Sequence, residues 1–305
     1  MTLLLAGAAG QLGQELLPRL QPIGEVVAVD RAAIPGLKNL HVQDLGDLNR
    51  VETLLNRIRP EIVVNAAAYT AVDQAEEEDE TAFRVNQALP ERLAHWCSRN
   101  DRVLFHYSTD YVFNGRSDRP YVETDTPDPL SIYGESKLEG ERSIGKSGCR
   151  HVILRTSWVY SGHGNNFLLT MLNLARNRPS LSIVDDQVGR PTWARNLAGV
   201  TRQLIDRLAD TSVSAPPGGV YHYCDRDAVS WYEFANEIFG IALDAGLLEN
   251  SPRTTPVSSA EFPQKAVRPL YSVLDTSRIE NDWGVRPAHL QESLRSCIKD
   301  IVEYE

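Results

Sequence analysis

Short apolar runs alternate with longer helix-like segments through the first half of the chain. A run at residues 3–6 has the length of a strand buried on both faces of a parallel sheet, and residues 83–96 show helical periodicity. Comparable apolar runs occupy residues 25–29, 61–64, 103–105 and 151–154. The alternation predicts an α/β fold of the Rossmann type, a doubly wound parallel sheet with helices on both faces.

Beyond residue 155 the pattern is less regular. It predicts a strand at residues 220–223, a helix from Ser230 to Leu248, and a final helix from about His289. We expect this half to form a smaller, lid-like part of the molecule.

The turn after the first apolar run is rich in glycine. Gly7, Gly10 and Gly13 follow the strand directly. The first glycine permits a tight turn, the second lets a pyrophosphate approach the backbone, and the third lets the next helix pack on the strand. That helix begins near Gln11 and Leu12, where unpaired N–H groups can bind phosphates. The segment predicts a dinucleotide cofactor.

Asp30 follows the second strand, at the distance where an acidic residue reaches the ribose hydroxyls of the adenosine. Its charge repels a 2′-phosphate and favours NADH, whereas the neighbouring Arg31 can pair with that phosphate and permits NADPH. Because the two side chains act in opposite directions, we expect the protein to use both cofactors.

Tyr133 and Lys137 are four residues apart, on one face of a predicted helix. The ordinary pKa of a phenol is about 10. A nearby ammonium favours the phenolate and lowers that pKa, which makes the tyrosine a usable acid. Such a pair also occurs by chance on many exposed helices, so the chemical interpretation depends on the glycine-rich turn upstream.

Composition narrows the class of protein. The chain has 305 residues, 42% of them hydrophobic, which is enough for one large core or two smaller ones. The net charge of −10 disfavours nucleic acid and anionic membranes as partners. We expect a cytoplasmic location, because no apolar run approaches the roughly 18 residues of a membrane helix and no signal-peptide pattern is present.

The glycine spacing and the Tyr133–Lys137 pair resemble the extended short-chain dehydrogenase/reductase superfamily over essentially the whole chain. The resemblance implies a dinucleotide-binding domain at residues 1–155, to which a segment at about 190–228 returns. Residues 156–305 would form most of a smaller, interleaved substrate-binding domain. Further implied cofactor contacts are Asp44 and Leu45, the alanines Ala66, Ala67 and Ala68, and Tyr107.

Six ordered segments carry a finer resemblance, to the family of dTDP-4-dehydrorhamnose reductases. They are HYSTDYVF at 106–113, YGESK at 133–137, RTSWVY at 155–160, GNNF at 164–167, DDQVGRPT at 185–192 and RPLYSVLD at 268–275. The family implies reduction of the C4 ketone of dTDP-4-dehydro-L-rhamnose to dTDP-L-rhamnose, in dTDP-rhamnose biosynthesis. It also implies NADPH as the usual cosubstrate.

The resemblance implies roles for individual residues. Tyr133 would donate a proton to the carbonyl oxygen of the substrate, and Thr109 would hydrogen-bond the same oxygen. Lys137 would lower the phenol pKa and hold the nicotinamide ribose. Asn86 is expected either to bind a backbone carbonyl or a water in a proton path, or to pack between helices.

For the substrate we expect Asp110 and Trp158 near the hexose, and Asn166 and Arg190 near the nucleotide diphosphate. A guanidinium offers forked donors that suit a diphosphate. Trp158 could equally belong to the core. Arg268 is a second diphosphate candidate, and its alternative is an ion pair with the nearby acidic helices.

Some members of the family hold magnesium between carboxylates at a dimer interface. Glu15 fits the first such position, but Arg195 stands where a second carboxylate is expected. Because a divalent cation needs oxygen ligands, we expect no metal site here. The chain would then be a monomer or a homodimer.

Two alternatives to a reductase stay open. One is a sugar-nucleotide epimerase or dehydratase of the same superfamily, which regenerates a tightly held NAD. The other is a non-enzymatic NADP-binding regulatory subunit, because the methionine adenosyltransferase regulatory subunit resembles this family. The complete set of Thr109, Tyr133 and Lys137 argues against the second, since a binding protein needs no proton donor.

Overall fold

A computed structural model describes residues 1–33, 40–209, 218–262 and 264–304. The strands are β1 (Thr2–Ala6), β2 (Glu25–Asp30), β3 (Leu40–Val42), β4 (Ile62–Asn65), β5 (Val103–Thr109), β6 (Arg150–Thr156), β7 (Val159–Tyr160), β8 (Ser180–Val184), β9 (Val188–Gly189), β10 (Thr192–Trp193), β11 (Gly219–His222), β12 (Val229–Ser230) and β13 (Arg253–Val257).

The helices surround these strands. The α-helices are α1 (Gln11–Leu20), α2 (Leu48–Ile58), α3 (Val72–Ala75), α4 (Asp79–Phe83), α5 (Leu89–Arg99), α6 (Ile132–Lys146), α7 (Phe167–Asn177), α8 (Ala194–Ala209), α9 (Trp231–Asp244), α10 (Ser277–Trp283) and α11 (Leu290–Tyr304). Three short 3-10 segments lie at Gln21–Ile23, Asp110–Val112 and Ser259–Glu261, and a π-helical turn lies at Arg84–Ala88. None of the helices in the described part of the chain is long and apolar enough to cross a membrane.

Seven parallel strands form the central sheet, in the order β11-β6-β5-β4-β1-β2-β3. The strand order reverses between β1 and β4, and ligands of such sheets bind beyond the carboxyl ends of the strands at this point. The Rossmann-type doubly wound sheet predicted from the apolar runs is therefore confirmed.

Strand alternation divides the apolar side chains of the sheet between two faces. Leu3 and Leu5 of β1 join a core that includes α1 and α8, whereas Leu4 packs with residues of α2 and α5 on the other face. Side chains from β11 and from α10 also join the first of these cores. Late segments of the chain thus pack beside early ones, while the domain division at residue 155 remains a prediction.

A further core lies in the second half of the chain. It contains side chains of α7, α9 and α11, among them Leu172, Phe234 and Ile298. The described part of this half includes short strand pairs but no strand order that repeats the central sheet. Its apolar residues are covered mainly by helices.

Two predicted helices differ from the observed ones. The helix expected at residues 83–96 is part of a longer helical run that begins at Asp79 and contains the π-helical turn at Arg84–Ala88. The helix expected from Ser230 to Leu248 is α9, which ends at Asp244. Ser230 precedes it and forms a capping box with Glu233, a pairing that satisfies free N–H groups of the first turn.

Candidate active site

The glycine-rich turn lies against the loop that follows β4. Gly7 has a φ of +80°, and a Cβ at this position would lie 2.4 Å from the backbone nitrogen of Ala67. A Cβ on Gly13 would lie 2.1 Å from the carbonyl oxygen of Gly7. Side chains are thus excluded at both positions, and the N-terminus of α1 stays open toward a phosphate. These features fit a dinucleotide.

Asp30 supports the same turn. Its carboxylate accepts a hydrogen bond from the backbone N–H of Ala9 over 2.9 Å and another from Ala32 over 3.1 Å. The side chain of Arg31 is exposed next to it. Asp30 therefore holds the glycine-rich turn in place, a role that the sequence pattern did not indicate, and its contact with a ribose stays a prediction.

The other predicted cofactor residues also follow strands of the sheet. Ala66, Ala67 and Ala68 come directly after β4, where Asn65 accepts a hydrogen bond from the Ala67 N–H over 3.3 Å. The exposed carboxylate of Asp44 accepts one from the N–H of Gly46, and Leu45 is buried beside it. The phenol of Tyr107 pairs with Thr201 of α8 at 2.7 Å, and the contact of Tyr107 with the cofactor stays a prediction.

Helix α6 carries the predicted Tyr133–Lys137 pair. Ser131 caps its first turn, and Glu76 accepts a hydrogen bond from the backbone N–H of Ile132 over 2.9 Å. A Cβ on Gly134 would lie 2.3 Å from the carbonyl oxygen of Tyr111, so the glycine lets the helix approach the turn after β5. The start of the helix is thus fixed beside the end of β5.

Lys137 is buried and its ammonium donates a hydrogen bond of 2.5 Å to the carbonyl oxygen of Tyr107. Burial lowers the pKa of Lys137 to about 8, and the nearby carboxylate of Glu141 opposes this shift. A low-dielectric surrounding disfavours the charged form of a lysine. The ammonium therefore loses its charge at a pH far closer to neutral than usual.

The expectation that the pKa of Tyr133 is lowered is wrong. Burial raises this pKa to about 12, a hydrogen bond with Thr109 opposes the shift, and the charge of Asp110 adds to it. The ring also packs edge-on against Tyr111, with 5.7 Å between the centroids. Tyr133 is consequently protonated at neutral pH, as a proton donor must be.

Thr109 connects Tyr133 to Asp110. Its hydroxyl donates to the Asp110 carboxylate over 3.0 Å and accepts from the Tyr111 N–H over 3.1 Å. Burial raises the pKa of Asp110 to about 7, and hydrogen bonds from Ser272 and Thr109 oppose the shift. The structure thus brings together three of the predicted residues, Thr109, Asp110 and Tyr133, at the carboxyl end of β5.

Asn86 satisfies its side chain within the protein. It lies in the π-helical turn, accepts a hydrogen bond from the Tyr69 N–H over 2.9 Å, and donates to the Tyr69 carbonyl over 3.0 Å. It also donates to the hydroxyl of Ser136 in α6 over 3.0 Å. Asn86 was expected to bind a backbone carbonyl or to pack between helices, and it does both. The residue ties the loop after β4 to the helix of Tyr133.

Trp158 lies just beyond β6, whose last residue, Thr156, pairs in register with Thr109. The indole of Trp158 stacks on that of Trp231, with the centroids 3.5 Å apart and the planes at 5°. Sequence reasoning did not single out Trp231. The sequence shows only that Trp231 directly follows the capping residue Ser230. That position does not indicate a partner elsewhere in the chain.

The side chains of Asn166 and Gln11 form hydrogen bonds with other residues of the protein. Asn166 caps α7 by accepting from the Leu169 N–H over 3.1 Å, and its amide donates to the carbonyl of Ser161 over 3.0 Å. The Gln11 amide donates to the carbonyl of Val159 over 3.2 Å. Because the Asn166 amide also donates to the Gln11 side-chain oxygen over 3.4 Å, the two side chains join the glycine-rich turn to the second half. The contact of Asn166 with a diphosphate stays a prediction.

Arg190 and Arg268, the two arginines predicted to lie near the diphosphate, both have partners within the protein. Arg190 donates to the carbonyl of Leu274 over 2.8 Å, while its Nε is buried without a partner among the described residues. Arg268 pairs with Asp73 at 2.7 Å, as the ion-pair alternative predicted. It also lines a cavity of about 530 Å³ together with Arg116 and Gln187.

A buried ion pair lies one helical turn from Lys137, and sequence reasoning missed it as well. Arg155 of β6 forms a two-pronged pair with Glu141 of α6, at 2.9 and 2.7 Å. Both side chains are about 95% buried, and Phe113 lies 5.1 Å from the guanidinium. Nothing in a single sequence indicates that these distant residues meet. The pair brings the negative charge of Glu141 one helical turn from Lys137.

The position expected for magnesium does not fit a cation. The carboxylate of Glu15 is bound by Arg195 at 3.1 Å and by Arg19 at 3.1 Å, and Arg195 also pairs with Asp300 at 2.5 Å. A guanidinium thus stands where the second carboxylate was expected. Across residues 1–33, 40–209, 218–262 and 264–304, no group of three or more histidines, cysteines or acids is arranged to hold a metal.

The parallel sheet, the glycine-rich turn and the Tyr133–Lys137 helix define an oxidoreductase of the extended short-chain dehydrogenase/reductase class. A family profile described as the RmlD substrate binding domain matches residues 1–303. A dTDP-4-dehydrorhamnose reductase of Aggregatibacter actinomycetemcomitans is 38% identical over 296 residues, which cover 96% of this chain and 97% of the relative. The chain belongs to the dTDP-4-dehydrorhamnose reductase family.

Solved structures agree with this assignment. A dTDP-4-dehydrorhamnose reductase of Clostridium acetobutylicum ATCC 824 superposes with a TM-score of 0.88 at 36% identity, covering 99% of this chain and all of the other. A Bacillus anthracis reductase, solved in complex with NADP, has a TM-score of 0.85 at 32% identity, covering 98% and 99%. The family resemblance stated from the sequence segments is thereby confirmed.

Proposed function

We propose that this protein reduces the C4 ketone of dTDP-4-dehydro-L-rhamnose to dTDP-L-rhamnose, in dTDP-rhamnose biosynthesis, with NADPH as the usual cosubstrate and NADH also accepted. One observation carries the proposal: in a chain of this reductase family, Tyr133, Thr109 and the buried Lys137 meet at the carboxyl end of β5. The complex of the B. anthracis relative with NADP supports the choice of cofactor.

The cofactor would lie along the carboxyl ends of β1, β2 and β4. Gly7, Gly10 and Gly13 leave the backbone open, so that the N–H groups at the start of α1 can bind the pyrophosphate. Bound NADPH supplies the hydride. Residues proposed for the remaining contacts are Gln11 and Leu12, Asp30 and Arg31, Asp44 and Leu45, Ala66, Ala67 and Ala68, Tyr107, Tyr133 and Lys137.

Tyr133 donates the proton to the carbonyl oxygen of the sugar, on which negative charge develops as the ketone is reduced. Its raised pKa keeps the phenol protonated at neutral pH. The Thr109 hydroxyl turns from Asp110 to donate a second hydrogen bond to the same oxygen, and donors directed at a developing charge commonly give the largest catalytic effect. The Lys137 ammonium binds the nicotinamide ribose and favours the phenolate that proton transfer leaves on Tyr133.

The substrate is recognised next to these groups. Asp110 and Trp158 bind the hexose, because both lie at strand ends next to Thr109. Arg190, whose buried Nε has no partner in the described part of the chain, binds the diphosphate, and Asn166 lies near it. We expect the protein to work in the cytoplasm, where NADPH and nucleotide sugars are both available, as a monomer or a homodimer.

The test is NADPH oxidation by the purified protein with dTDP-4-dehydro-L-rhamnose, with product measured by chromatography. We expect one dTDP-L-rhamnose formed for each NADPH consumed. An epimerase or dehydratase would convert its substrate without net NADPH consumption and would retain NAD through purification. A regulatory subunit would bind NADPH and show no turnover. Either of these two results would overturn the proposal.

A further inference from the structure

Trp231 is the first residue of α9, and its indole lies flat against that of Trp158 at 3.5 Å. A hydrogen bond also fixes the Trp231 ring. Its N–H donates to the side-chain oxygen of Gln187 over 3.2 Å, and the Gln187 amide donates to the hydroxyl of Ser259 over 2.8 Å. The orientation of the Trp231 ring is therefore set by a hydrogen bond as well as by stacking.

Trp158 has a backbone conformation that needs such support. Its φ is +47°, a left-handed value that a bulky residue adopts only when its surroundings enforce it. Gly189 lies so close that a Cβ there would be 2.5 Å from Cε2 of the Trp158 indole. The N–H of Thr192 donates to the carbonyl of Trp158 over 3.2 Å. Backbone strain of this kind is concentrated at ligand-binding sites.

The stack connects the edge of the central sheet with a cavity lined by Gln187. Trp158 lies two residues beyond Thr156, the register partner of Thr109, and so belongs to the edge of the sheet where the reacting groups lie. Gln187, which holds Trp231, lines the cavity of about 530 Å³ that also contains Arg268 and Arg116. Any displacement of the Trp231 ring would change both the plane of Trp158 and the cavity wall at Gln187.

We propose that Trp231 is a positioning residue, which holds the indole of Trp158 in the plane that it needs to form a wall of the hexose site. The inference rests on the proposed function, because it requires Trp158 to contact the sugar. A residue that only contributed to packing would change stability or the amount of active protein. A positioning residue changes the KM for the nucleotide sugar and leaves the affinity for NADPH unchanged.

The test compares Trp231→Leu, Trp231→Phe, Trp158→Phe and Trp283→Phe with the wild type. Two stacked indoles give an exciton couplet in circular dichroism, and we expect the couplet to vanish in both Trp231 variants and in Trp158→Phe. Trp231→Leu should raise the KM for dTDP-4-dehydro-L-rhamnose about three- to tenfold, the scale of a lost aromatic pair. Trp231→Phe retains part of the stacked area and should give a smaller increase.

Trp283→Phe is the matched control. Trp283 is fully buried in the core beside the central sheet, where it packs edge-on against Tyr221. It undergoes the same chemical change far from the stack, so the couplet and the KM should stay at their wild-type values. The dissociation constant for NADPH should be unchanged in all four variants.

An unchanged KM in a folded Trp231→Leu protein that has lost the couplet would overturn the inference. If Trp231→Leu does not fold, Trp231→Phe decides: an unchanged KM together with a lost couplet then overturns it. An unchanged KM in Trp158→Phe would show that Trp158 does not contact the sugar and would also overturn it. Failure of the proposed function is recognised separately, because the wild type itself would then not oxidise NADPH with this substrate.

Discussion

The ammonium of Lys137 donates a hydrogen bond of 2.5 Å to the carbonyl oxygen of Tyr107, in the buried contact between α6 and β5. A backbone carbonyl brings no compensating full charge, and burial lowers the pKa of Lys137 to about 8 although Glu141 opposes the shift. The pKa of Tyr133, one helical turn earlier, is raised by burial to about 12. Of these two residues, the lysine therefore titrates nearer to neutral pH.

The lowered pKa of Lys137 predicts that NADPH binding weakens at alkaline pH. Lys137 is a cation below its pKa and neutral above it, so the affinity for NADPH should fall as pH rises through about 8. The measurement is the dissociation constant for NADPH, from fluorescence titrations on both sides of this pH. Lys137→Met should bind NADPH more weakly and without this inflection, and should also turn over more slowly. An inflection that persists in Lys137→Met would assign it to another group.

Removing the Tyr133 hydroxyl should slow turnover and leave NADPH binding intact. Tyr133→Phe keeps the ring and its edge-on contact with Tyr111 but has no proton to donate. We expect turnover to fall at least by the roughly 10²-fold typical of a lost general acid, with the NADPH dissociation constant nearly unchanged. Steady-state rates and NADPH titrations on the same preparations check this. Wild-type turnover in the variant would show that Tyr133 is not the proton donor.

Replacements of Asp30 and Arg31 should shift cofactor preference in opposite directions. Arg31→Ala should weaken NADPH more than NADH, because it removes a cation from the neighbourhood of the 2′-phosphate. Asp30→Ala should favour NADPH, since a lost charge-assisted hydrogen bond to the NADH ribose costs about 1.5–3 kcal/mol, or roughly ten- to a hundredfold. The measurement is the ratio of kcat/KM for the two cofactors.

Asp30→Asn is the control for the second role of this residue. Asp30 also accepts the Ala9 N–H, so Asp30→Ala loosens the glycine-rich turn and should harm both cofactors in addition to changing their ratio. Asparagine has an oxygen that can keep this hydrogen bond while the charge is removed. If neither Asp30→Asn nor Arg31→Ala moves the ratio by more than about twofold, well below the effect of one such bond, neither side chain reaches the ribose.

The ion pairs of Glu15 predict independence from magnesium. Because Arg195 already neutralises this carboxylate, a chelator such as EDTA should leave NADPH oxidation unchanged, and added Mg²⁺ should not alter the melting temperature. Arg195→Glu restores the carboxylate expected at this position, and its melting temperature should rise with Mg²⁺. Loss of wild-type activity in EDTA that Mg²⁺ restores would contradict the prediction.

Several features were readable from the sequence because they depend on local rules. The apolar runs predicted the strands of the central sheet, since a strand buried on both faces needs apolar residues throughout its length. Gly7 and Gly13 predicted a close approach of backbones, and the structure leaves no room for a Cβ at either position. The final helix, expected from about His289, begins at Leu290. These features follow from residue type and local spacing, which the sequence displays directly.

Other features were decided only by tertiary structure. The direction of the pKa shift of Tyr133 was predicted wrongly, because a four-residue spacing to a cation is visible in the sequence whereas the depth of burial is not. Asn166 caps a helix and Tyr107 turns its phenol to Thr201, since each side chain satisfies its polar atoms with the nearest available partner.

Contacts between segments that are separate in the chain could not be predicted from the sequence. The stack of Trp158 on Trp231 and the pair of Arg155 with Glu141 each join segments with no shared local pattern. Residue types, helical spacing and turn glycines therefore determined the class of fold and the reacting groups. The surroundings that orient those groups and set their pKa values arise only when separate segments of the chain pack together, because desolvation and stacking depend on every neighbour in space.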